Sequence, residues 1–167
     1  MHMKKRIALI TGATSGIGEA CARRFAMGGY NIIMTGRNRK RLDEVKKELE
    51  AEGADVLTLC FDVRDRAQAT KAVETLGEEW QAVDVLINNA GLARGLEPEY
   101  VGDFTDWDEM IDTNIKGLLT MTRLIVPGMV ERDHGHVINI GSVAGDAAYA
   151  GGGVYCATKA AVKALSD

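Results

Sequence analysis

Short apolar runs alternate along this chain with longer segments in which apolar residues recur at helical spacing. The runs cover residues 6–10, 31–35, 56–61, 83–87 and 137–140, and each is followed by a glycine or a polar residue. Between them, apolar positions three or four residues apart predict helices with one buried side. Strands that alternate with such helices predict an α/β fold with a parallel, doubly wound sheet.

Several helices are predicted from their ends and their apolar positions. Asp65 is expected to cap one helix, and a long helix is predicted from about Asp106 into the 120s, where Pro127 and Gly128 bend or end it. The apolar side of the first helix is expected to contain Ile17, Ala20, Cys21 and Phe25. The apolar side of the long helix is expected to contain Met110, Ile111, Ile115, Leu118 and Leu119.

A glycine-rich turn joins the first strand to the first helix. It runs from Thr11 to Gly18 and contains three glycines. Glycines at such a turn let the backbone approach a pyrophosphate, whose charge is held by amide N–H groups at the start of the helix. A sharp loop would explain the glycines equally well, but their place between a strand and a helix favours a Rossmann-type dinucleotide site.

The polar residues that follow the predicted strands are expected to meet. Right-handed crossovers place the carboxyl ends of parallel strands at one edge of the sheet, where open α/β sheets bind ligands. The segments that follow strand ends are Thr11–Gly18, Gly36–Arg37, Asp62, Asn88–Gly91 and Ser142. We therefore expect one site at this edge.

The last predicted helix carries Tyr155 and Lys159, which lie one helical turn apart. A cation beside a phenol favours the phenolate, which allows a tyrosine to act as a general acid and base. Ser142 adds a hydroxyl that could hold a carbonyl or alcohol oxygen against that phenol. A tyrosine and a lysine at this spacing also occur by chance in many helices, so the pair gains weight only from the other motifs.

Composition limits the classes of protein and partner. The 167 residues are 46% hydrophobic and 26% charged, which predicts one domain over residues 1–167. Twenty basic and 24 acidic residues are scattered along the sequence, so we expect no nucleic-acid partner. We also expect no membrane partner, because no apolar run is long enough to cross a membrane. Cys21, Cys60 and Cys156 lack metal-ligand spacing, which predicts no metal site and reduced thiols in a cytoplasmic protein.

Five motifs in this order resemble the short-chain dehydrogenase/reductase family. They are the turn from Thr11 to Gly18, the Asn-Asn-Ala-Gly of residues 88–91, Asn114, Ser142, and Tyr155 with Lys159. The resemblance implies an oxidoreductase in which Tyr155 exchanges the proton, Ser142 orients the substrate oxygen, and Lys159 tunes Tyr155 and binds the nicotinamide ribose. Asn114 would anchor a water relay, a role that is compatible with an asparagine that satisfies nearby backbone.

The resemblance also implies the residues that bind a nicotinamide dinucleotide. They are Gly12, Thr14, Ser15, Gly16, Ile17, Gly18, Arg37, Asp62, Val63, Asn89, Ala90, Gly91, Tyr155 and Lys159. The segment after the second strand has no acid before Asp43, and an arginine there accommodates a 2′-phosphate, so NADP is the expected cofactor. Arg37 is the main candidate for that phosphate. Arg39 is a weaker one, because a solvated charge at a helix start explains it equally well.

The substrate class follows from a closer resemblance. Residues 92–98, 107–115, 127–132 and 146–155 resemble the NADP-dependent 3-hydroxy acid dehydrogenases, which act on serine, allo-threonine and malonic semialdehyde. A hydroxy acid carries a carboxylate, so its pocket should contain a cation or amide donors. Arg94 is a first candidate, although its loop position is typical of a solvated side chain.

The family resemblance extends beyond the last residue of this sequence. The chain ends eight residues after Lys159, whereas the family continues with a sixth strand, a mobile substrate-covering segment and a seventh strand. We therefore expect a sheet without those strands, and a homo-oligomer only for a complete chain. Three hypotheses remain: a hydroxy-acid dehydrogenase, a 3-oxoacyl-thioester or other carbonyl reductase of the same family, and a truncated, non-catalytic dinucleotide-binding fragment.

Overall fold

A parallel sheet forms the centre of the computed structural model, which describes residues 5–167. Within this range the sheet has five strands in the order β3-β2-β1-β4-β5. They are β1 (Ile7–Ile10), β2 (Asn31–Gly36), β3 (Val56–Cys60), β4 (Val83–Asn88) and β5 (His136–Asn139). All neighbouring strands pair in parallel, which confirms the predicted doubly wound sheet. Strand order reverses between β1 and β4, and that reversal opens a crevice at the carboxyl edge.

Helices cover both faces of the sheet. In the described range they are α1 (Gly16–Met27), α2 (Arg39–Ala51), α3 (Arg66–Glu74), α4 (Glu78–Gln81), α5 (Phe104–Ile111), α6 (Leu118–Glu131) and α7 (Gly153–Ser166). Residues Asp112–Gly117 form a π-helical turn between α5 and α6, and Glu99–Val101 and Val143–Gly145 form short 3-10 turns. The short helix α4 was not predicted from the sequence.

Alternation along the central strand divides the core into two clusters. Ile7 and Leu9 of β1 face one cluster, which also contains Met121 of α6. Ala8 and Ile10 face the other, which contains Leu42 of α2. Because successive strand residues point to opposite faces, a strand that is buried on both sides must be apolar throughout. This requirement is why continuous apolar runs predicted the strand ends to within one residue.

The long predicted helix differs from expectation at both ends. It begins at Phe104, where the Asp103 side chain accepts a hydrogen bond from the Thr105 amide at 2.7 Å. It does not end at Pro127, because α6 continues to Glu131. Pro127 lies on the exposed side of α6, where water can satisfy the carbonyl that its missing N–H leaves unpaired. Pro127 therefore destabilises α6 too little to end the helix.

Four apolar residues that were expected on buried helix faces are exposed: Ile17 and Ala20 on α1, and Ile111 and Leu119 on the long helix. Ile17 is 60% exposed, Ile111 36% and Leu119 43%. Ile17 lies in the first turn of α1, at the carboxyl edge of the sheet rather than over it. The buried face of the long helix has ordinary helical spacing but includes polar residues, and it runs through Met110, Thr113, Asn114, Gly117, Leu118 and Met121.

No helix within residues 5–167 is long and apolar enough to span a membrane. The same range contains no group of three or more potential metal-ligating side chains.

Substitution of Met121 tests whether α6 is held to the sheet as described. Met121 is fully buried, and we expect Met121→Ala to lower the free energy of unfolding by about 2–5 kcal/mol because it leaves a cavity. Val130 of the same helix is 72% exposed, and Val130→Ala should change the free energy of unfolding by less than about 0.5 kcal/mol. Urea unfolding of both variants gives the comparison, and equal losses would contradict the packing of α6.

Candidate active site

A cleft of about 970 Å³ opens at the carboxyl edge of the sheet. Segments that follow all five strands line it, as the positions of the polar residues predicted. Of the predicted site residues, those that line the cleft are Gly12, Thr14, Ser15, Gly16, Ile17, Arg37, Asp62, Val63, Asn89, Ala90, Gly91, Ser142, Tyr155 and Lys159. Gly18 and Asn114 are not among the lining residues.

The glycine turn lies in close contact with the loop that follows β4. Gly12 has a φ of +63°, and a Cβ added there would lie 2.9 Å from the Cα of Ala90. A Cβ on Gly18 would overlap the Gly12 carbonyl oxygen and the Asn89 side-chain amide. Gly18 therefore allows close packing beneath the cleft, whereas Gly12 and Gly16 shape the turn at its surface.

Hydrogen bonds tie these two loops together across the point where strand order reverses. The Thr11 hydroxyl accepts from the backbone amides of Asn89 and Ala90, each at 3.0 Å. The Asn89 side-chain amide donates to the carbonyl oxygens of Thr11 and Gly12, also at 3.0 Å. The Asn89 side chain thus holds the backbone of the glycine turn in place from one wall of the cleft.

Asn114 lies in the π-helical turn and is 2% exposed. Its amide nitrogen donates to the Leu92 carbonyl at 2.9 Å and to the Thr158 hydroxyl at 3.0 Å, while its oxygen accepts from the Leu92 amide at 2.9 Å. The side chain therefore joins the β4 loop to α7. This geometry matches the expected backbone-satisfying role, and a water relay stays a prediction.

Ser142, Tyr155 and Lys159 lie on one wall of the cleft. The Lys159 Nζ donates to the Ile140 carbonyl at 2.8 Å and lies 5.9 Å from the centre of the Tyr155 ring. Lys159 is only 7% exposed, and this burial lowers the pKa of its ammonium group. The Ser142 hydroxyl accepts from the Ala144 amide at 3.1 Å. Backbone contacts thus fix the Ser142 hydroxyl and the Lys159 ammonium, and Tyr155 lines the same cleft.

A cluster of charges forms around Arg37 and Asp62, which line the cleft. Arg64 binds both carboxylate oxygens of Asp62 at 2.7–3.0 Å, and Arg94 donates to Glu109 at 2.9 Å. Arg37 lies 3.8 Å from Asp62 and 3.6 Å from Glu109. Burial opposes ionisation of Asp62, but the hydrogen bonds and charge of Arg64 hold its pKa below the usual range. The hydrogen bond from Arg94 likewise lowers the pKa of Glu109.

Two further arginines were predicted as candidate ligands: Arg39 for a 2′-phosphate and Arg94 for a substrate carboxylate. They differ in position. Arg39 also lines the cleft, and its guanidinium donates to the Thr58 hydroxyl at 3.4 Å. Arg94 does not line it; its side chain is 49% exposed and turned to Glu109. The Arg94 geometry agrees with the expectation of a solvated loop side chain more than with a ligand for a substrate carboxylate.

Two threonines on the cleft wall were not predicted from the sequence. Thr35 and Thr113 line the cleft, and their buried hydroxyls have no hydrogen-bond partner within residues 5–167. Thr113 lies three residues after Met110 and directly before Asn114, so its place on the buried helix face could have been found from spacing. Thr35 offered no such signal, because it is the last residue of a predicted strand in which every side chain was expected to be covered.

A model of the short chain dehydrogenase family matches residues 6–167. The chain belongs to this family. Among curated family members, an NADP-dependent 3-hydroxy acid dehydrogenase from Salmonella typhi is 54% identical over 160 residues, which are 96% of this chain and 63% of the relative. Sulfoacetaldehyde reductase 2 from Chromohalobacter salexigens is 46% identical over 158 residues, 94% of this chain and 62% of the relative. The chain thus spans less than two thirds of either relative.

The family fold extends to solved structures. The closed form of serine dehydrogenase complexed with NADP+ superposes with a TM-score of 0.92 at 52% sequence identity. The match covers 96% of this chain and 63% of that one. The agreement confirms the Rossmann-type arrangement of the described strands and helices.

The lowered pKa of Glu109 predicts how its contribution to stability depends on pH. Its folded-state pKa lies below the ordinary value of 4.5, so the stabilisation is present above that pH and is lost as the pH falls through the folded-state value. Glu109→Gln should therefore lower the melting temperature near neutral pH and leave it unchanged in strong acid. Glu131→Gln, at an exposed position of α6, is the control. A loss that is independent of pH would mean that Glu109 stabilises the fold without its charge.

Proposed function

We propose that this chain binds NADP and carries the groups for hydride transfer between NADP(H) and a small 3-hydroxy acid or its carbonyl counterpart. The observation that carries the proposal is the placement of Ser142, Tyr155 and Lys159 on the wall of a cleft whose floor is the glycine turn. The names of the family members that the chain resembles, which are dehydrogenases and a reductase, support the same reaction class.

The residues present fit a dinucleotide. The N-terminus of α1 follows the glycine turn, where backbone amides and the helix dipole would hold the pyrophosphate. A Cβ at Gly16 would meet nothing within 4 Å, so the backbone of the turn is open there to close approach by a ligand. Asp62 and Val63 would border the adenine, and Lys159 would bind the nicotinamide ribose. When bound, the nicotinamide accepts or supplies the hydride.

The protein groups would handle the proton. In the oxidation of an alcohol, a Tyr155 phenolate would take the proton from the hydroxyl oxygen. The hydride would leave the carbon that bears this oxygen, and a carbonyl would form. The Ser142 hydroxyl would hold the reacting oxygen in place. The Lys159 ammonium lies close enough to the ring to stabilise the phenolate, and its bond to the Ile140 carbonyl fixes its position. Reduction of a carbonyl would use the same groups in reverse.

The choice of NADP rests on charge. Arg37 lines the cleft directly after β2, and the sequence has no carboxylate between it and Asp43 that could bind a ribose 2′-hydroxyl. The Salmonella typhi relative is NADP-dependent, and the solved serine dehydrogenase contains NADP+. We therefore assign the 2′-phosphate to Arg37.

The substrate class is supported by what the relatives act on. A 3-hydroxy acid, serine and sulfoacetaldehyde are all small molecules with an acidic group. We propose that the substrate here shares that feature. A 3-oxoacyl-thioester reductase and a fragment that binds dinucleotide without turnover are the competing outcomes of the test below.

Compartment and assembly are also proposals. The three cysteines are free thiols, which fits the reducing cytoplasm. Phe104, Ile111 and Leu119 on the long helix and Leu165 on α7 are exposed, which supports association of these helices in a homo-oligomer.

Substitution of Tyr155 tests the proposed acid and base. With NADP and either serine, allo-threonine or 3-hydroxypropionate, we expect Tyr155→Phe to lower turnover at least about 100-fold, because the proton acceptor is lost while the ring remains. The NADP dissociation constant should change less than about threefold. Absorbance of reduced nicotinamide and fluorescence titration measure the two quantities.

Tyr149→Phe is the matched control, since Tyr149 is half-exposed and does not line the cleft. Equal turnover of the wild type and Tyr155→Phe would remove Tyr155 from the mechanism. Turnover with acyl thioesters but not with hydroxy acids would support the alternative reductase. NADP binding without turnover of either substrate would support the fragment.

Substitution of Arg37 tests the phosphate assignment. Arg37→Gln should weaken NADP about 10–100-fold, because charge-assisted hydrogen bonds to the 2′-phosphate are lost. NAD binding should change little. Arg123→Gln, at an exposed position of α6, is the control. Equal losses for NADP and NAD, measured by calorimetry, would rule out Arg37 as the phosphate ligand.

A further inference from the structure

Three arginines and two acids from four segments of the fold form a cluster beside the cleft, and two of them, Arg37 and Asp62, line it. Arg37 follows β2, Asp62 and Arg64 follow β3, Arg94 lies in the loop after β4, and Glu109 belongs to α5. None of Arg64, Arg94 and Glu109 belongs to the motifs by which the family was recognised. Their contacts indicate what these three residues do.

The contacts divide the charges into two satisfied pairs. Asp62 receives a hydrogen bond from the Arg64 backbone amide at 2.9 Å and further bonds from its guanidinium. Glu109 receives its shortest contact, 2.9 Å, from the Nε of Arg94, while Arg64 lies 3.5 Å away. Each carboxylate thus has a preferred arginine at hydrogen-bond distance.

Of the three arginines, Arg37 is the one that has no carboxylate at hydrogen-bond distance. Its nearest carboxylate oxygens lie 3.6 Å and 3.8 Å away, beyond the usual hydrogen-bond distance, and its side chain is 56% exposed. The cluster of three cations and two anions has one net positive charge, and Arg37 is the member whose donors are least engaged. Its guanidinium can therefore meet an incoming phosphate with both edges.

We propose that Arg94 is a positioning residue for the 2′-phosphate site: by binding the Oε2 of Glu109, it keeps the Oε1, which lies 3.6 Å from Arg37, from closing to a hydrogen bond with that arginine. The proposal rests on the assignment of the 2′-phosphate to Arg37 made above. Without Arg94, Glu109 is held only by the longer contacts to Arg64 and Arg37 and moves onto Arg37. A carboxylate there competes with the phosphate for the guanidinium and also repels its negative charge.

This role separates Arg94 from substrate binding. An arginine that held a substrate carboxylate would affect the Michaelis constant of the hydroxy acid and leave the adenylate half of the cofactor untouched. An arginine that acts through Glu109 would affect the 2′-phosphate even when no substrate and no nicotinamide are present. The two roles therefore differ in a binding measurement that needs no turnover.

The test uses two fragments of the cofactor, adenosine 2′,5′-bisphosphate and adenosine 5′-monophosphate. The ratio of their dissociation constants, measured by calorimetry at low ionic strength, isolates the contribution of the 2′-phosphate. Arg94→Gln should lower the preference for the bisphosphate about three- to tenfold. The double variant Arg94→Gln/Glu109→Gln should recover the wild-type ratio to within about twofold, because the competing carboxylate is gone. Added salt should shrink the Arg94→Gln effect.

Arg123→Gln is the matched control and should leave the ratio unchanged. An unchanged ratio in Arg94→Gln, or a double variant that stays as low as Arg94→Gln, would overturn the inference. Arg37→Gln in the same series separates the two proposals. If Arg37→Gln abolishes the preference while Arg94→Gln does not, only the role of Arg94 is wrong; if Arg37→Gln has no effect, the phosphate assignment and the inference both fail.

Discussion

Four hydrogen bonds between the glycine turn and the β4 loop fix the width of the crevice on which the whole site depends. A parallel sheet opens such a crevice wherever its strand order reverses, but the sheet alone does not set the distance between the two loops. Thr11 and Asn89 set it here, using one hydroxyl and one side-chain amide. The glycine turn, which is assigned to the pyrophosphate, is therefore held at a fixed distance from the β4 loop that faces it.

The local parts of this arrangement could be predicted from the sequence. The glycine turn, and Tyr155 with Lys159, depend on spacing within one turn or one helix, and such spacing is visible along the chain. The strands were predictable because burial on both faces demands uninterrupted apolar runs. The parallel, doubly wound sheet followed from the alternation of strands and helices rather than from any single residue.

The parts that could not be predicted depend on contacts between distant segments. The Arg94–Glu109 pair joins residues whose meeting is decided by the path of a loop, and no periodicity in the sequence marks it. Asn114 was recognised as a motif residue, but its hydrogen bonds to Leu92 and Thr158 require the relative placement of a loop and two helices. The exposure of Ile111 and Leu119 was missed because the buried face was chosen from apolar residues alone, whereas Thr113 and Asn114 occupy the buried positions after Met110.

The π-helical turn also constrains how the chain can change in length. An α-helix advances about 100° per residue and a π-helical turn advances less, so Asp112–Gly117 accommodate one extra residue while α6 keeps the same side towards the sheet. Deleting one residue there, with a return to regular winding, would therefore leave Met121 and Ile125 in the core. It would instead displace Asn114 from its contacts with Leu92 and Thr158, so those hydrogen bonds, rather than the packing of α6, depend on the length of this turn.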